Sequence, residues 1–223
     1  LRALPRRGEE KVFKGRLWGG RSSRGAVFRV EVADPAGVTQ RFLIRNGERA
    51  GVWRISDGRP VELEPAAACA ALVPGVEVSA FDLQMPFLYW PDATLEKIAR
   101  AGLGRPAYAY LFRAPPEWMA RTAVLGAARA YLDTQAHALM QTELISPAGK
   151  VVKSFFIVSL KKVGEQYIPK QADYRNEISR DKTRFQVTGA ALNLRLPAAI
   201  FEPAGLSTPV EPPAAPQLVR IEP

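Results

Sequence analysis

The feature that most constrains this chain is a two-residue alternation of apolar and polar side chains in many short segments. In one such segment the apolar positions are Phe28, Val30 and Val32. The polar residues between them are Arg29 and Glu31. This period is typical of half-buried β-strands, because successive side chains of a strand point to opposite faces of the sheet. We therefore expect Arg29 and Glu31 on a solvent-exposed face.

Short turns separate these segments. The sequences DPAG at 34–37, NG at 46–47 and SPAG at 146–149 contain the residues that tight turns favour. Strands do not alternate with long helical stretches, which argues against a parallel sheet. The pattern predicts a mainly β protein with a single curved antiparallel sheet of about 11 strands. We expect this sheet to form an incomplete, half-open barrel with short lid helices.

Two segments depart from the alternation. Residues 66–73 are rich in alanine and indicate a short helix, and Ser79 is a candidate N-cap for a second one that ends before Pro86. Both helices fall between two sets of strands, so we expect them over the concave face of the sheet. Residues 120–138 mix alanine with β-branched and aromatic residues, and we interpret them as two strands with a turn near residue 133.

The chain divides into two regions of different composition. We predict one domain over residues 1–206 and a Pro-rich C-terminal tail over residues 207–223. The tail has little apolar patterning, and we expect it to be extended and poorly packed.

Charge and apolar content exclude some classes of function. The net charge of +9 is compatible with binding to nucleic acid or to an anionic membrane. However, the arginines are spread along strands, opposite the aromatic residues, whereas base stacking needs both on one exposed face. We therefore expect no nucleic-acid partner and interpret the basic residues as a solvated sheet face, with contact to acidic lipid headgroups as the alternative. No apolar run approaches the roughly 20 residues of a membrane-spanning helix.

Residues for catalysis or metal binding are scarce. His137 is the only histidine and Cys69 the only cysteine, so neither a two-His metal site nor an intrachain disulfide can form. No nucleophile elbow or phosphate-binding loop is present. Asp82 and Glu96 are the only candidates for a pair of hydrolytic carboxylates, and we interpret Asp82 as a helix-capping acceptor. We expect no enzyme activity, no metal and no cofactor.

Five segments resemble the LolA-like outer-membrane lipoprotein-sorting proteins. They are TELISPAGKVVK at 142–153, YIPK at 167–170, KTRF at 182–185, IFEPAGL at 200–206 and FDLQMPFLYW at 81–90. The resemblance implies an incomplete antiparallel barrel with helices that form a lid over a hydrophobic cavity. It also implies periplasmic transfer of lipoproteins, with their acyl chains in the cavity, from an inner-membrane release complex to an outer-membrane acceptor.

Our leading hypothesis is a periplasmic carrier or binding protein that holds lipoprotein acyl chains or phospholipid in this cavity. Secretion would use a signal peptide absent from this chain, and partner proteins at the inner and outer membranes are expected. The alternative is an envelope sensor or protein-interaction module with the same fold. The cavity-facing candidates, chosen by alternation, are Phe28, Val30, Phe42, Ile44, Trp53, Ile55, Phe87, Leu88, Trp90, Tyr110, Phe112, Phe156 and Val158.

Overall fold

A computed structural model describes residues 1–22, 25–34, 36–47, 50–122 and 125–222. The strands in chain order are β1 (Arg2–Leu4), β2 (Lys11–Val12), β3 (Lys14–Ser22), β4 (Gly25–Ala33), β5 (Thr39–Arg45), β6 (Gly51–Ser56), β7 (Arg59–Glu62), β8 (Ala93–Ala101), β9 (Arg105–Arg113), β10 (Ala127–Asp133), β11 (Leu139–Ile145), β12 (Val151–Val163), β13 (Gln166–Asn176), β14 (Lys182–Gln186), β15 (Gly189–Ala190) and β16 (Val219–Arg220). The α-helices are α1 (Pro65–Ala68), α2 (Ala80–Gln84) and α3 (Pro116–Thr122). Short 3-10 helices are Pro86–Tyr89, Gly102–Gly104, Ala198–Phe201, Pro203–Ser207 and Ala215–Gln217.

The strands form two main antiparallel sheets. The larger has nine strands in the order β2-β1-β14-β13-β12-β11-β10-β9-β8, and the smaller has five in the order β3-β4-β5-β6-β7. A third ladder joins β15 to β16. About 50% of the chain is strand and 16% helix, and the large sheet does not close into a barrel. The predicted fold class, a mainly β open half-barrel with short helices, is confirmed.

The expectation of one continuous sheet needs correction at Phe13. Strand β2 pairs with β1, whereas β3 pairs with β4, and only Phe13 separates β2 from β3 along the chain. The Phe13 side chain is buried in the core between the two sheets. The hydrogen-bonded ladder therefore stops at this residue, and β2 and β3 belong to different sheets although they follow each other along the backbone.

The largest apolar core lies between both sheets and residues 65–90, which we call the lid segment. The five-stranded sheet contributes Val30 and Ile44, and the nine-stranded sheet contributes Phe155 and Tyr174. The lid segment fills the space between them with Leu72, Val73, Val76, Val78 and Ala80. The concave face is thus covered by a segment of the same chain.

The second helix of the lid segment begins and ends as the sequence predicts, whereas the first, predicted over residues 66–73, spans only Pro65–Ala68. The backbone N–H of Asp82 donates to Ser79 Oγ at 3.1 Å, and the backbone N–H of Ser79 donates to Asp82 Oδ2 at 2.7 Å. This reciprocal capping box begins α2. Met85 ends the helix in the left-handed conformation, at φ 51°, and Pro86 starts the following 3-10 helix.

The prediction of two strands in residues 120–138 is wrong. Helix α3 extends to Thr122, β10 is the one strand that lies within this range in the described residues, and residues 123 and 124 fall outside them. Pro116 at the start of α3, Glu117 in its first turn and Arg121 in its last all favour a helix here. Pro35, in the turn predicted at 34–37, also lies outside the described residues.

Arg29 is not on a solvated face, which corrects the interpretation of this strand. Its side chain is 0% exposed because residues 198–208, the C-terminal strap, cover the outer face of the five-stranded sheet. The guanidinium donates to the carbonyl oxygens of Gly205 at 2.9 Å, Leu206 at 3.3 Å and Thr208 at 2.6 Å. It also donates to Glu31 Oε1 at 2.7 Å. A buried guanidinium is stable only when such acceptors surround it.

The expectation of a poorly packed tail needs correction only at its end, where Ile221 is almost completely buried, since residues 207–209, 211–212 and 214–220 are exposed. Strand β16 pairs with β15, so the end of the tail returns to the body of the protein. The domain boundary at residue 206 stays a prediction.

Replacing Arg29 with Ala should lower the free energy of unfolding by about 3 kcal/mol, because Glu31 and the strap carbonyls lose a buried cationic partner. Urea denaturation would measure this change. The matched variant Arg54→Ala, at an exposed position of the same sheet, should change it by less than about 0.5 kcal/mol. Equal changes in the free energy of unfolding for the two variants would contradict the conclusion that the buried contacts of Arg29 stabilise the fold.

Candidate functional site

The candidate site is the concave face of the nine-stranded sheet where the lid segment covers it. Alternation along β9, β10 and β12 places Phe112, Ala128, Ala130 and Phe155 on this face. The covering segment contains only short helical pieces, α1, α2 and the 3-10 helix Pro86–Tyr89, rather than one long helix. An apolar wall and a separate apolar cover are therefore in contact over a large area.

An aromatic cluster forms one half of this contact. Phe87 of the lid segment lies 6.4 Å from Phe112 of β9, measured between ring centroids. Trp118 of α3 lies 5.3 Å from Phe81 and 5.8 Å from Trp90. The rings are tilted with respect to one another, as aromatic pairs prefer. The cluster joins the lid segment to both the sheet and α3.

The indole nitrogen of Trp118 is the unusual group in this cluster. Its Nε1 atom is buried and has no hydrogen-bond partner among the described residues. A buried donor without an acceptor costs about 1–3 kcal/mol. The Trp118 N–H is therefore available to bind an acceptor oxygen within the aromatic cluster.

A buried ion pair lies next to the two apolar clusters. Lys153 of β12 contacts Asp82 of α2 through its Nζ atom, and both side chains are mostly buried. Asp82 also accepts a hydrogen bond from Ser79 Oγ at 2.6 Å. A second polar contact joins Asn46 Nδ2 to the backbone oxygen of Gln84 at 2.8 Å. These two contacts hold α2 against both sheets.

The surroundings of the ion pair have a low polarity. Burial raises the pKa of the Cys69 thiol to about 11, and the negative charge of Asp82 acts in the same direction. Burial likewise raises the pKa of Tyr174 well above its ordinary value, again with a contribution from Asp82. Both groups stay neutral at neutral pH. The site therefore offers an apolar interior with the Asp82–Lys153 ion pair at its edge.

Most of the predicted cavity residues face this site. Val30, Phe42 and Ile44 lie in the core cluster that contacts the lid segment, and Phe28 packs at its margin. The aromatic cluster contains Phe87, Trp90, Tyr110 and Phe112. The structure brings these eight residues together in two adjacent clusters.

The other five predicted residues lie elsewhere. Trp53 and Ile55 pack under the C-terminal strap, on the opposite face of the sheet from Phe42 and Ile44. The remaining three are Leu88, which is partly exposed, Phe156, which lines a depression on the outer face, and Val158, which is half-buried beside a β-bulge.

Strand register explains why Trp53 is separated from Phe42. Trp53 pairs with Leu43, and Val52 pairs with Ile44. Directly paired residues of an antiparallel sheet share a face. Alternation shows which residues of one strand share a face. Which residues of two neighbouring strands share a face depends on the register between the strands, and the alternation pattern does not give that register.

Sequence reasoning missed three important residues, Phe81, Trp118 and Lys153. Lys153 occupies the same alternating set as Phe155 and Ile157 on β12. A lysine among the inward-facing apolar residues of a strand indicates that its charge has a buried partner. Phe81 and Trp118 are far apart in sequence, and no local pattern indicates that they meet.

The outer face of the nine-stranded sheet has a polar depression of about 600 Å³. Its lining includes Glu143, Glu177 and Arg180. Arg129 lies beside it and binds both Glu143 at 2.5 Å and Glu96 at 2.6 Å. The hydrogen bond from Arg129 lowers the pKa of Glu96, the opposite of what a general acid requires. Glu96 and Glu143 therefore form an ion-pair network.

The described residues contain no group of three or more His, Cys, Asp and Glu side chains placed to hold a metal ion. None of the described helices is long and apolar enough to cross a membrane.

The architecture defines the chain as a protein with a LolA-like fold. It is similar to a candidate outer membrane lipoprotein-sorting domain from Vibrio parahaemolyticus, with a TM-score of 0.74 and 12% identity over 92% of this chain and 88% of that one. A DUF1329 family protein from Desulfovibrio piger superposes with a TM-score of 0.69 and 13% identity, over 92% and 88% of the two chains. A LolA superfamily protein from Nitrosomonas europaea gives 0.57 and 11%, over 90% and 86%. Neither a family model nor a curated protein matches the sequence.

Replacing Lys153 with Met should lower the free energy of unfolding by about 3 kcal/mol, because Asp82 is left charged and buried without its partner. In the double variant that also carries Asp82→Asn, most of the lost free energy of unfolding should be restored. A double-mutant cycle in urea would measure the coupling. The control Lys150→Met, in the exposed turn before β12, should be nearly neutral. Additive effects at residues 82 and 153 would contradict the pairing.

Alkylation of Cys69 should be slow in the folded protein. With a thiol pKa of about 11, the thiolate fraction at pH 8 is roughly a hundredfold smaller than for an ordinary cysteine. Iodoacetamide labelling followed by mass spectrometry would compare the folded protein with the protein in urea. Equal rates would show that the thiol is in contact with water in the fold.

Proposed function

We propose that this protein is a periplasmic binding protein or carrier for acyl chains of lipoproteins or phospholipid, which lie between the lid segment and the concave face. The observation that carries the proposal is the apolar contact between the half-barrel wall and a cover made of short helices. Each CH₂ that an acyl chain buries on this face contributes about 0.8 kcal/mol, against which the displaced side chains of the lid segment lose their own burial. The LolA-like fold supports the same role.

The polar groups of the site suit an acylated ligand. The unpartnered Nε1 of Trp118 can donate to an ester or amide carbonyl at the head of an acyl chain. The ion pair between Asp82 and Lys153 holds α2 while the apolar parts of the lid segment move. Binding would then require local displacement of the parts of residues 65–90 outside α2 and no unfolding of either sheet.

The ligand can be tested on protein purified without detergent. Native mass spectrometry and organic extraction should find phospholipid or an acylated peptide at close to one per chain, and delipidated protein should take up a fluorescent fatty-acyl probe. An empty protein that also fails to take up the probe would overturn the proposal.

Trp118→Phe tests where the ligand binds, because it removes the N–H group and keeps most of the ring. We expect the affinity for the acyl probe to fall roughly five- to tenfold, the value of one hydrogen bond. Trp53→Phe is the matched control, since Trp53 lies on the opposite face of the five-stranded sheet. Fluorescence titration would measure the affinity of each variant for the probe. An equal loss of affinity in the two variants would show that the probe binds outside the site.

The exposed edge strand β8 favours a second candidate, an envelope sensor or protein-interaction module. Within the described residues, this nine-residue strand ends the large sheet and pairs with β9 alone. Its side chains are mostly exposed, including Leu95 and Ile98. Such an edge can accept a strand from a partner protein. Two results together would favour this function: the half-barrel contains no ligand, and the protein binds a partner that it no longer binds when Ile98 is replaced by Lys.

A further inference from the structure

The centre of the edge strand β8 has a self-complementary sequence. Its four residues are Leu95, Glu96, Lys97 and Ile98, an acid and a base flanked by two apolar side chains. All four are exposed, the two apolar residues by 50% and 62%. A second copy of the strand that runs antiparallel presents the same residues in reverse order. Each charged residue can then lie opposite a residue of the other sign, and each apolar residue opposite an apolar one.

A β-bulge places the two apolar side chains of this group on one face. Leu95 pairs with Tyr110 of β9, and Ile98 pairs with Tyr108. Tyr108 and Tyr110 are two positions apart on one strand and therefore share a face. Leu95 and Ile98 are three positions apart, and they share this face because the bulge inserts Glu96 between them. Since Tyr110 belongs to the aromatic cluster, the shared face is the concave one.

The two charged side chains lie on the opposite, outer face. Glu96 accepts a hydrogen bond from Arg129 Nε at 2.6 Å, and the same guanidinium also binds Glu143. Lys97 pairs with Ala109, which alternates with the two tyrosines and so faces outward. Lys97 has no ion-pair partner among the residues that the structure describes. The edge thus has an apolar face and a charged face, with one cation free to pair.

We propose that β8 pairs with β8 of a second copy of this chain, antiparallel and about a two-fold axis between residues 96 and 97. Directly opposite residues of an antiparallel pair share a face. On the concave face this register places Leu95 opposite Ile98 of the second copy. On the outer face it places Glu96 opposite Lys97 of the second copy, and the symmetry repeats both contacts. A shift by one residue would bring like charges together on the axis and place a charge opposite an apolar side chain.

The bulge and the lysine also restrict which strand can add to this edge. Both features commonly protect an edge strand from pairing. In the proposed pair both strands carry the bulge at the same place, so the ladder can continue on either side of it. Lys97 disfavours a strand that has no acid opposite it. The pairing lies outside the contact between the lid segment and the sheet, so it does not rest on the carrier function. It differs from the second candidate function in its partner, a copy of the same chain.

Charge reversal followed by mixing tests the register. In the dimer, Lys97→Glu places two pairs of acids opposite each other, and Glu96→Lys places two pairs of lysines there. In sedimentation velocity, each variant alone should dimerise at least roughly tenfold more weakly than the wild type. An equimolar mixture of the two variants should recover most of the lost affinity as a heterodimer, because every charged pair again joins opposite signs.

Matched controls lie far from β8 in the sheet. Lys150→Glu, in the exposed turn before β12, and Ile178→Ser, at a position that is 76% exposed, should dimerise like the wild type. The double variant Leu95→Ser, Ile98→Ser should lose dimerisation. These substitutions are all at exposed positions, and circular dichroism would confirm the fold of each variant.

Hydrogen exchange measures the pairing directly. The backbone amides of residues 93–100 should become more protected as the protein concentration rises, because pairing gives the free edge hydrogen-bond partners. Those of β3, the nine-residue strand at the edge of the smaller sheet, should keep the same protection at every concentration.

Three outcomes would overturn the proposal. A wild type that is monomeric at every concentration would leave this edge to a strand of another protein. A dimer that both charge reversals leave intact would place the interface elsewhere on the chain. A mixture of the two charge variants that stays monomeric would exclude the register. The lipid extraction and probe measurements do not depend on these outcomes, so a failure of the pairing is distinguishable from a failure of the carrier function.

Discussion

An antiparallel sheet that curves without closing leaves an apolar concave face that must be covered, and most of this structure follows from how that is done. The cover comes from residues 65–90, between the two sheets in the chain. Its helices are short, because the segment must follow two apolar surfaces in turn. A capped helix start at Ser79 and one ion pair, between Asp82 and Lys153, set its position. Under the proposed function an acyl chain takes the place of part of this cover, since a flexible apolar ligand competes with an equally apolar cover.

Local patterns were sufficient for much of the architecture. The alternation of apolar residues and the turn residues indicated an open antiparallel fold with short helices, because both depend on neighbours within a few positions. The capping box at Ser79 is likewise local. The patterns could not show that Phe13 interrupts the ladder, since that depends on which strands pair. Nor could they show that Arg29 is buried, because its cover is formed by residues more than 170 positions later.

The candidate site was predictable to a similar extent. Eight of the 13 predicted cavity residues gather at the lid segment: six lie on strand faces turned to the concave side, and Phe87 and Trp90 belong to the segment itself. Trp53 and Ile55 do not, because the register between β5 and β6 places them with Leu43. Phe81 and Trp118 meet only through tertiary packing. Lys153 could have been recognised by its inward position on β12.

The strap that covers Arg29 has a consequence for how this protein can diverge in evolution. The guanidinium recognises backbone carbonyl oxygens, which every amino acid carries, so the docking places few demands on the side chains of residues 203–208. Only two positions are restricted: a Cβ at Gly205 would collide with the carbonyl oxygen of Ala199, and Leu206 fills an apolar site. Homologous straps can therefore drift until their sequences no longer align, while the arrangement they form is retained.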